Sequence, residues 1–176
     1  MITEYYSDTL NRTVKPGTKI HIHGKVHSGI TRMLRRLVTD LFKGEVSEEY
    51  MGRSNRYLIV ADEEEAGWSI ISSYIKDWGF ENMPLLKGGF AYTEEAARGI
   101  SNRIDVERGE TLMFITADEY PRIDEGVVRA LNEAYGKHNP VYISTSHKKE
   151  QVPFVDGEAD IYIDTADYDM ETGELL

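Results

Sequence analysis

Cysteine is absent from all 176 residues. That excludes disulfides, thiolate nucleophiles and zinc sites built on cysteine. No apolar run approaches the roughly 18 residues of a membrane-spanning helix. The opening stretch, MITEYYSDTL, has neither the basic nor the apolar segment of a signal peptide. The expectation is a cytoplasmic protein with no membrane span. Internal repeats, low-complexity tracts and obvious linkers are missing too. With 40% apolar and 29% charged residues, disorder of the whole chain is excluded. A chain of this size hides about 70% of its unfolded surface in one core, so residues 1–176 read as a single domain.

Positive charge is in short supply. There are 20 Lys and Arg against 31 Asp and Glu, for a net charge of −11. The imbalance is uneven. Residues 1–56 carry 10 basic and 6 acidic side chains, whereas the remaining 120 carry 10 and 25. Non-specific adhesion to nucleic acid is therefore disfavoured for the chain as a whole. The basic first third can still meet a polyanion locally. Residues 156–176 hold eight acids and no Lys or Arg. Charge runs of this kind are ordinarily solvated, so 165–176 reads as an acidic tail beyond a core at 18–164.

What is present is alternation. Lys19-Ile-His-Ile-His23 reads as a strand leaving a Pro16-Gly17 turn. Ile30, Met33, Leu34, Leu37, Val38, Leu41 and Phe42 then fall on one stripe of a helix. Strands are also expected at 56–61, 81–86, 111–116, 140–144 and 159–163, and helices at 68–78, 93–104 and 123–135. Strands alternating with helices predict an α/β domain with a mainly parallel sheet and right-handed crossovers. Ligands of such sheets gather at the carboxyl ends of the strands.

The first strand runs into Gly24-Lys-Val-His-Ser-Gly-Ile-Thr31 and straight into a helix. The phosphate-loop pattern G-x-x-x-x-G-K-[ST] is matched at Gly24, Gly29 and Thr31. Glycines let backbone N–H groups curl toward phosphate oxygens, and the Thr31 hydroxyl suits Mg²⁺. Ile30 stands where the pattern has lysine, which leaves Lys25 to reach back as a displaced lysine. The alternative is a glycine-bearing turn that binds nothing. His21 and His23, two apart on the same strand, share one face. With His138 and His147 such a pair suggests a metal-dependent hydrolase; histidines simply packed within the sheet are favoured over it.

A second constellation follows the strand at 111–116, which leads to Asp118-Glu119. An acid pair there can hold Mg²⁺ through water and deprotonate an attacking water. The next strand ends Ile143-Ser-Thr-Ser-His147. Beside the first strand, Thr145 or Ser146 can sense a terminal phosphate.

On these residues the chain resembles the RecA-type phosphate-loop NTPases, most nearly the FtsK/HerA DNA-pumping ATPases and their viral genome-packaging relatives. Their loop resembles G-K-T-G-S-G-K-T, against Gly-Lys-Val-His-Ser-Gly-Ile-Thr here. A strand ending in acid matches Leu58 to Glu65, and the acid pair matches Asp118 and Glu119. Thr145 matches the first residue of a Thr-Gln sensor pair, and the closing segment resembles Val152-Pro153 and Ala159-Asp-Ile161. The resemblance spans about residues 18–164, with Ile30 for Lys and Ser146 for Gln as its departures. It implies a three-layer, RecA-like phosphate-loop NTPase fold that takes ATP and Mg²⁺. Nucleotide contacts would come from Gly24, Lys25, Ser28, Gly29, Ile30 and Thr31, and metal contacts from Thr31 and Asp118. Glu119, Lys25 and Thr145 would be catalytic. The implied protein is a homo-oligomeric motor on DNA, in the cytoplasm or a host's cytoplasm if viral. An arginine finger would come from a neighbouring subunit, with Arg122, Arg129 or Lys137 as candidates. The second reading is a relative whose decayed site leaves an interaction or assembly module.

Overall fold

The computed structural model describes residues 5–25, 28–43, 56–60, 87–90, 94–103, 111–116, 125–138, 140–146, 159–169 and 171–176. Strands β1 (Tyr5–Ser7) and β2 (Arg12–Val14) form an antiparallel hairpin. Then come β3 (Lys19–His23), α1 (Ile30–Lys43), β4 (Arg56–Val60) and β5 (Lys87–Phe90). Helix α2 (Glu94–Arg103), β6 (Thr111–Thr116), α3 (Glu125–Tyr135), β7 (Val141–Ser146) and β8 (Ile161–Asp164) complete the order. Single 3-10 turns follow α3 at Gly136–His138 and β8 at Thr165–Asp167. The expected elements at 68–78 and 81–86 lie outside the described residues.

Six strands pair in the order β5-β4-β6-β7-β3-β8, each neighbour parallel. Strand β3 is interior, one place from the β8 edge. From it the chain moves toward β4 and β5, then returns through β6 and β7 and passes beyond β3 to β8. Right-handed crossovers place helices of opposite travel on opposite faces. Helix α1 therefore covers one face, and α2 and α3 cover the other. Arg98 of α2 approaches Glu133 of α3 at 3.9 Å, as expected for neighbours on a shared face.

Register sorts the side chains. In β3, Ile20 stands level with Ile143 and Ile161, and Ile22 with Thr145 and Ile163. His21 stands level with Ser144 and Tyr162, and His23 with Ser146 and Asp164. Level residues of a parallel pair share a face. One face of this end of the sheet is thus aliphatic and packs toward α1, where Met33, Leu34 and Leu37 are buried. The other face carries histidine, serine and tyrosine. Tyr142 belongs to that polar face and donates its hydroxyl to Asn132 Oδ1 of α3 at 2.8 Å. Burial pushes the Tyr142 phenol up to about 12, so it keeps the proton it donates.

The hairpin is tied to α1 by Asp40. Its Oδ2 accepts from Ser7 Oγ at 2.8 Å and from the Thr9 amide at 3.0 Å. Ser7 is fully buried, so an orphaned hydroxyl there is costly. Asp40→Ala should lower folding stability by about 1–3 kcal/mol. Asp40→Asn, which keeps one acceptor, should lose less. Urea denaturation checks this, and equal stabilities for all three proteins would show that the hairpin is held otherwise.

The segment 165–176 does not trail into solvent. Tyr168 and Leu175 form an antiparallel bridge, and the Gly173 amide donates to Asp169 O at 2.6 Å. Gly173 is buried with φ 77, and a Cβ there would meet Arg36 Nη1 at 2.0 Å. Arg36 Nη2 donates to Glu171 O at 2.8 Å. The acidic side chains of Glu171 and Glu174 remain exposed. Charge composition alone thus describes the solvated side chains but not the docked backbone.

Candidate functional site

The first strand hands over to α1 through a loop at the carboxyl end of the sheet. Gly24, just past β3, is buried, and its amide donates to Ser146 O of β7 at 3.2 Å. The Lys25 side chain is exposed, while Lys25 O accepts from the Ser28 amide at 3.0 Å and closes a turn. Gly29 has φ 95, a left-handed conformation that suits glycine. Gly29 O then accepts from the Met33 amide at 3.0 Å, the first helical bond of α1. Ile30, half-buried, opens the helix, and Thr31 follows in its first turn.

Gly24 has no room for a side chain. A Cβ there would lie 2.2 Å from Thr165 Oγ1, 2.3 Å from Ser28 Oγ and 3.1 Å from Ile30 Cγ1. The first two atoms are hydrogen-bonded to each other: Thr165 Oγ1 donates to Ser28 Oγ at 2.7 Å. Thr165 is 3% exposed and follows the last residue of β8. Its position is fixed from below by the β3–β8 register and by two bonds at the start of β8. There the Lys19 amide donates to Asp160 Oδ2, and the Asp160 amide donates to Lys19 O, both at 2.8 Å.

The polar face beneath the loop is closed around His21. This ring is fully buried, with Nδ1 2.6 Å from Ser144 Oγ and Nε2 2.9 Å from Ser146 Oγ. A neutral imidazole has one donor and one acceptor, so one serine accepts and the other donates. Burial first, and the neighbouring His23 second, lower the His21 pKa from 6.5 to about 4. The Tyr162 ring lies 5.5 Å from His21 and 6.1 Å from His23, centroid to centroid. Both His21 nitrogens are used by serines, which leaves none for a metal ion. Among the described residues, no group of three His, Asp or Glu side chains converges as a metal set. The geometry of His21 therefore speaks against the metal-hydrolase reading.

Of the expected site residues, the structure brings together Gly24, Ser28, Gly29 and Ile30, with Lys25 and Thr31 adjoining in the chain. Thr145 is 8% exposed and level with Ile22, on the aliphatic face. Ser146 is on the opposite face with His21. Asp118 and Glu119 lie outside the described residues, two and three positions past the end of β6. Their strand runs parallel to β7, with Thr116 level with Ser144. The carboxyl ends of β6, β7 and β3 therefore point the same way. Arg129 is exposed on α3 and Lys137 is exposed in the following 3-10 turn, while Arg122 lies outside the described residues.

No family model matches the chain, and no curated protein matches it. Among the described residues no helix is long and apolar enough to cross a membrane.

Thr165 is the site residue that sequence reasoning passed over. The available signal was its place after a strand. The rule that ligands gather at strand carboxyl ends, applied to β8 as well as to the earlier strands, selects it.

Proposed function

We propose that the chain is an ATP-binding and ATP-hydrolysing domain of the RecA-like phosphate-loop class. It would work as a homo-oligomer on nucleic acid, in translocation or genome packaging in the cytoplasm. The observation that carries this reading is the position of the Gly24–Thr31 loop. It joins an interior parallel strand to a 14-residue helix at a point where the strand order reverses, between β3's departure toward β4 and the later return to β8. Open parallel sheets bind ligands in the crevice at such a point. There, the start of a helix offers N–H groups and a positive dipole end to phosphate. The positive φ of Gly29 is a feature that suits a phosphate-binding backbone.

ATP supplies the phosphoanhydride to be cleaved, and Mg²⁺ supplies neutralising charge. The residues suited to hold them are the loop amides of 24–31, the Thr31 hydroxyl and Asp118. Glu119 is suited to deprotonating water and Lys25 to replacing the charge that Ile30 lacks. Three parallel strands bearing the loop, the sensor position and the acid pair end on one side of the sheet. That common direction supports the assignment of roles.

A second reading keeps the fold and gives up the chemistry. It is favoured by the contents of the loop: Ile30 is half-buried, and the Ser28–Thr165 bond closes over Gly24. An interaction or assembly module would need no open anion site. Two assays separate the readings. Binding of a fluorescent ATP analogue, with phosphate release from Mg-ATP stimulated by DNA, is the result expected of a motor. Absence of both binding and release would replace it with the assembly module.

A further inference from the structure

The segment after β8 touches α1 at two places. Thr165 reaches the loop that precedes the helix, through Ser28 Oγ at 2.7 Å. Glu171 and Gly173 reach the helix's second turn, through the 2.8 Å bond from Arg36 and the close packing of Gly173 on its guanidinium. Between these anchors the chain is braced on itself. Asp164 Oδ1 accepts from the Ala166 amide at 3.0 Å, the Tyr168 amide donates to Thr165 O at 3.3 Å, and the Leu176 amide donates to Asp167 O at 2.8 Å. A braced segment fixed at both ends transmits restraint from one to the other.

We propose that residues 165–176 form a strap that holds the glycine loop closed, with the Thr165–Ser28 hydroxyl bond as its catch. The bond lies directly over Gly24, where even a methyl group has no room. With Ser28 accepting from Thr165, which either hydroxyl's rotation permits, its own proton is left to an incoming acceptor such as a phosphoryl oxygen. In the nucleotide-binding reading on which this last point rests, Thr165 is a positioning residue: it acts through Ser28. The restraint on the loop itself does not depend on that reading.

Hydrogen exchange of the Ser28 amide reports the catch directly. That amide is bonded to Lys25 O, and it exchanges only when the turn opens. Thr165→Val keeps the side-chain shape and removes the hydroxyl. It should speed exchange at Ser28 by about two- to tenfold, the range of one neutral hydrogen bond. Ser28→Ala breaks the same bond from the other side and should loosen the Met33 amide at the helix start by a similar factor. Thr165→Ser should behave as wild type. Arg36→Met, which releases the far anchor, should also speed exchange at Ser28, and combining it with Thr165→Val should add little. Unchanged exchange in Thr165→Val, with overall stability retained, would overturn the strap. So would an Arg36→Met effect fully additive to it. A parallel titration with the fluorescent ATP analogue keeps the two proposals apart. Loss of the nucleotide reading shows as no binding by wild type or variants, while the exchange rates still decide the strap.

Discussion

Between pH 6.5 and pH 4 the protein should lose about 3 kcal/mol of folding stability through His21 alone. In the unfolded chain this imidazole takes its proton below pH 6.5; in the folded protein it does so only below about 4. Throughout the window the unfolded state binds more protons, so unfolding becomes easier as pH falls. The cause lies in its surroundings. The ring is fully buried, and both nitrogens are already committed to Ser144 and Ser146. A charged imidazolium has two donors and no acceptor, so protonation removes the acceptor that one serine uses. The ionisable groups sharing this face at the neighbouring positions are Lys19, His23, Tyr142, Tyr162 and Asp164. Urea denaturation at half-unit pH steps tests the prediction. His21→Gln, an uncharged side chain with a donor and an acceptor, should be less stable at pH 7 yet lose most of the slope between pH 4 and 6.5. Identical slopes in the two proteins would assign the acid sensitivity elsewhere.

Lys25→Ala should reduce any ATPase rate by about 10²–10³-fold, the usual loss when one well-placed electrostatic group is removed. The loop itself should survive the change. Lys25 contributes its backbone carbonyl to the Ser28 turn, and its side chain stands exposed. Truncation therefore takes away charge without taking away a structural bond. Ile30→Lys is the complementary change and should raise nucleotide affinity. It places an ammonium at the first position of α1, and the lysine stem can still cover part of the apolar surface that Ile30 covers. Phosphate release and equilibrium binding, measured on both variants and the wild type, decide the matter. An undiminished rate in Lys25→Ala would remove it from the mechanism. A wild type and an Ile30→Lys variant that both fail to bind would favour the assembly module.

The elements that were legible in the sequence are those whose own residues carry the pattern. The stripe from Ile30 to Phe42 marks α1, and the continuous apolar run Thr111–Thr116 marks β6. Elements stabilised by partners were not legible. β5 is Lys-Gly-Gly-Phe, a poor strand by propensity that gains its form by pairing with Tyr57–Val60. β1 and β2 have three residues each, too few to show a period, and are held by each other and by Asp40. In the candidate site the glycine spacing was visible because local geometry imposes it. The catch was not, because Ser28 and Thr165 are 137 residues apart and meet only through the β3–β8 register. The docking of 165–176 was hidden for a related reason. A backbone carbonyl receives Arg36, and carbonyls have no sequence signature.

The pairing of β3 has a consequence for how the protein comes to be folded. Both of its sheet partners, β7 and β8, are written more than 110 residues later. Contacts this distant must first overcome the entropy of closing a long loop, and parallel topologies rich in them fold slowly. On the ribosome, an emerging chain holds β3 and α1 for most of its synthesis without either neighbouring strand. At roughly 5–20 residues per second, that interval lasts on the order of ten seconds. Both hydrogen-bonding edges of β3 are without their partner strands throughout it. Capture by a chaperone is best placed in this interval, and the glycine loop acquires its final shape only once Thr165 has been added.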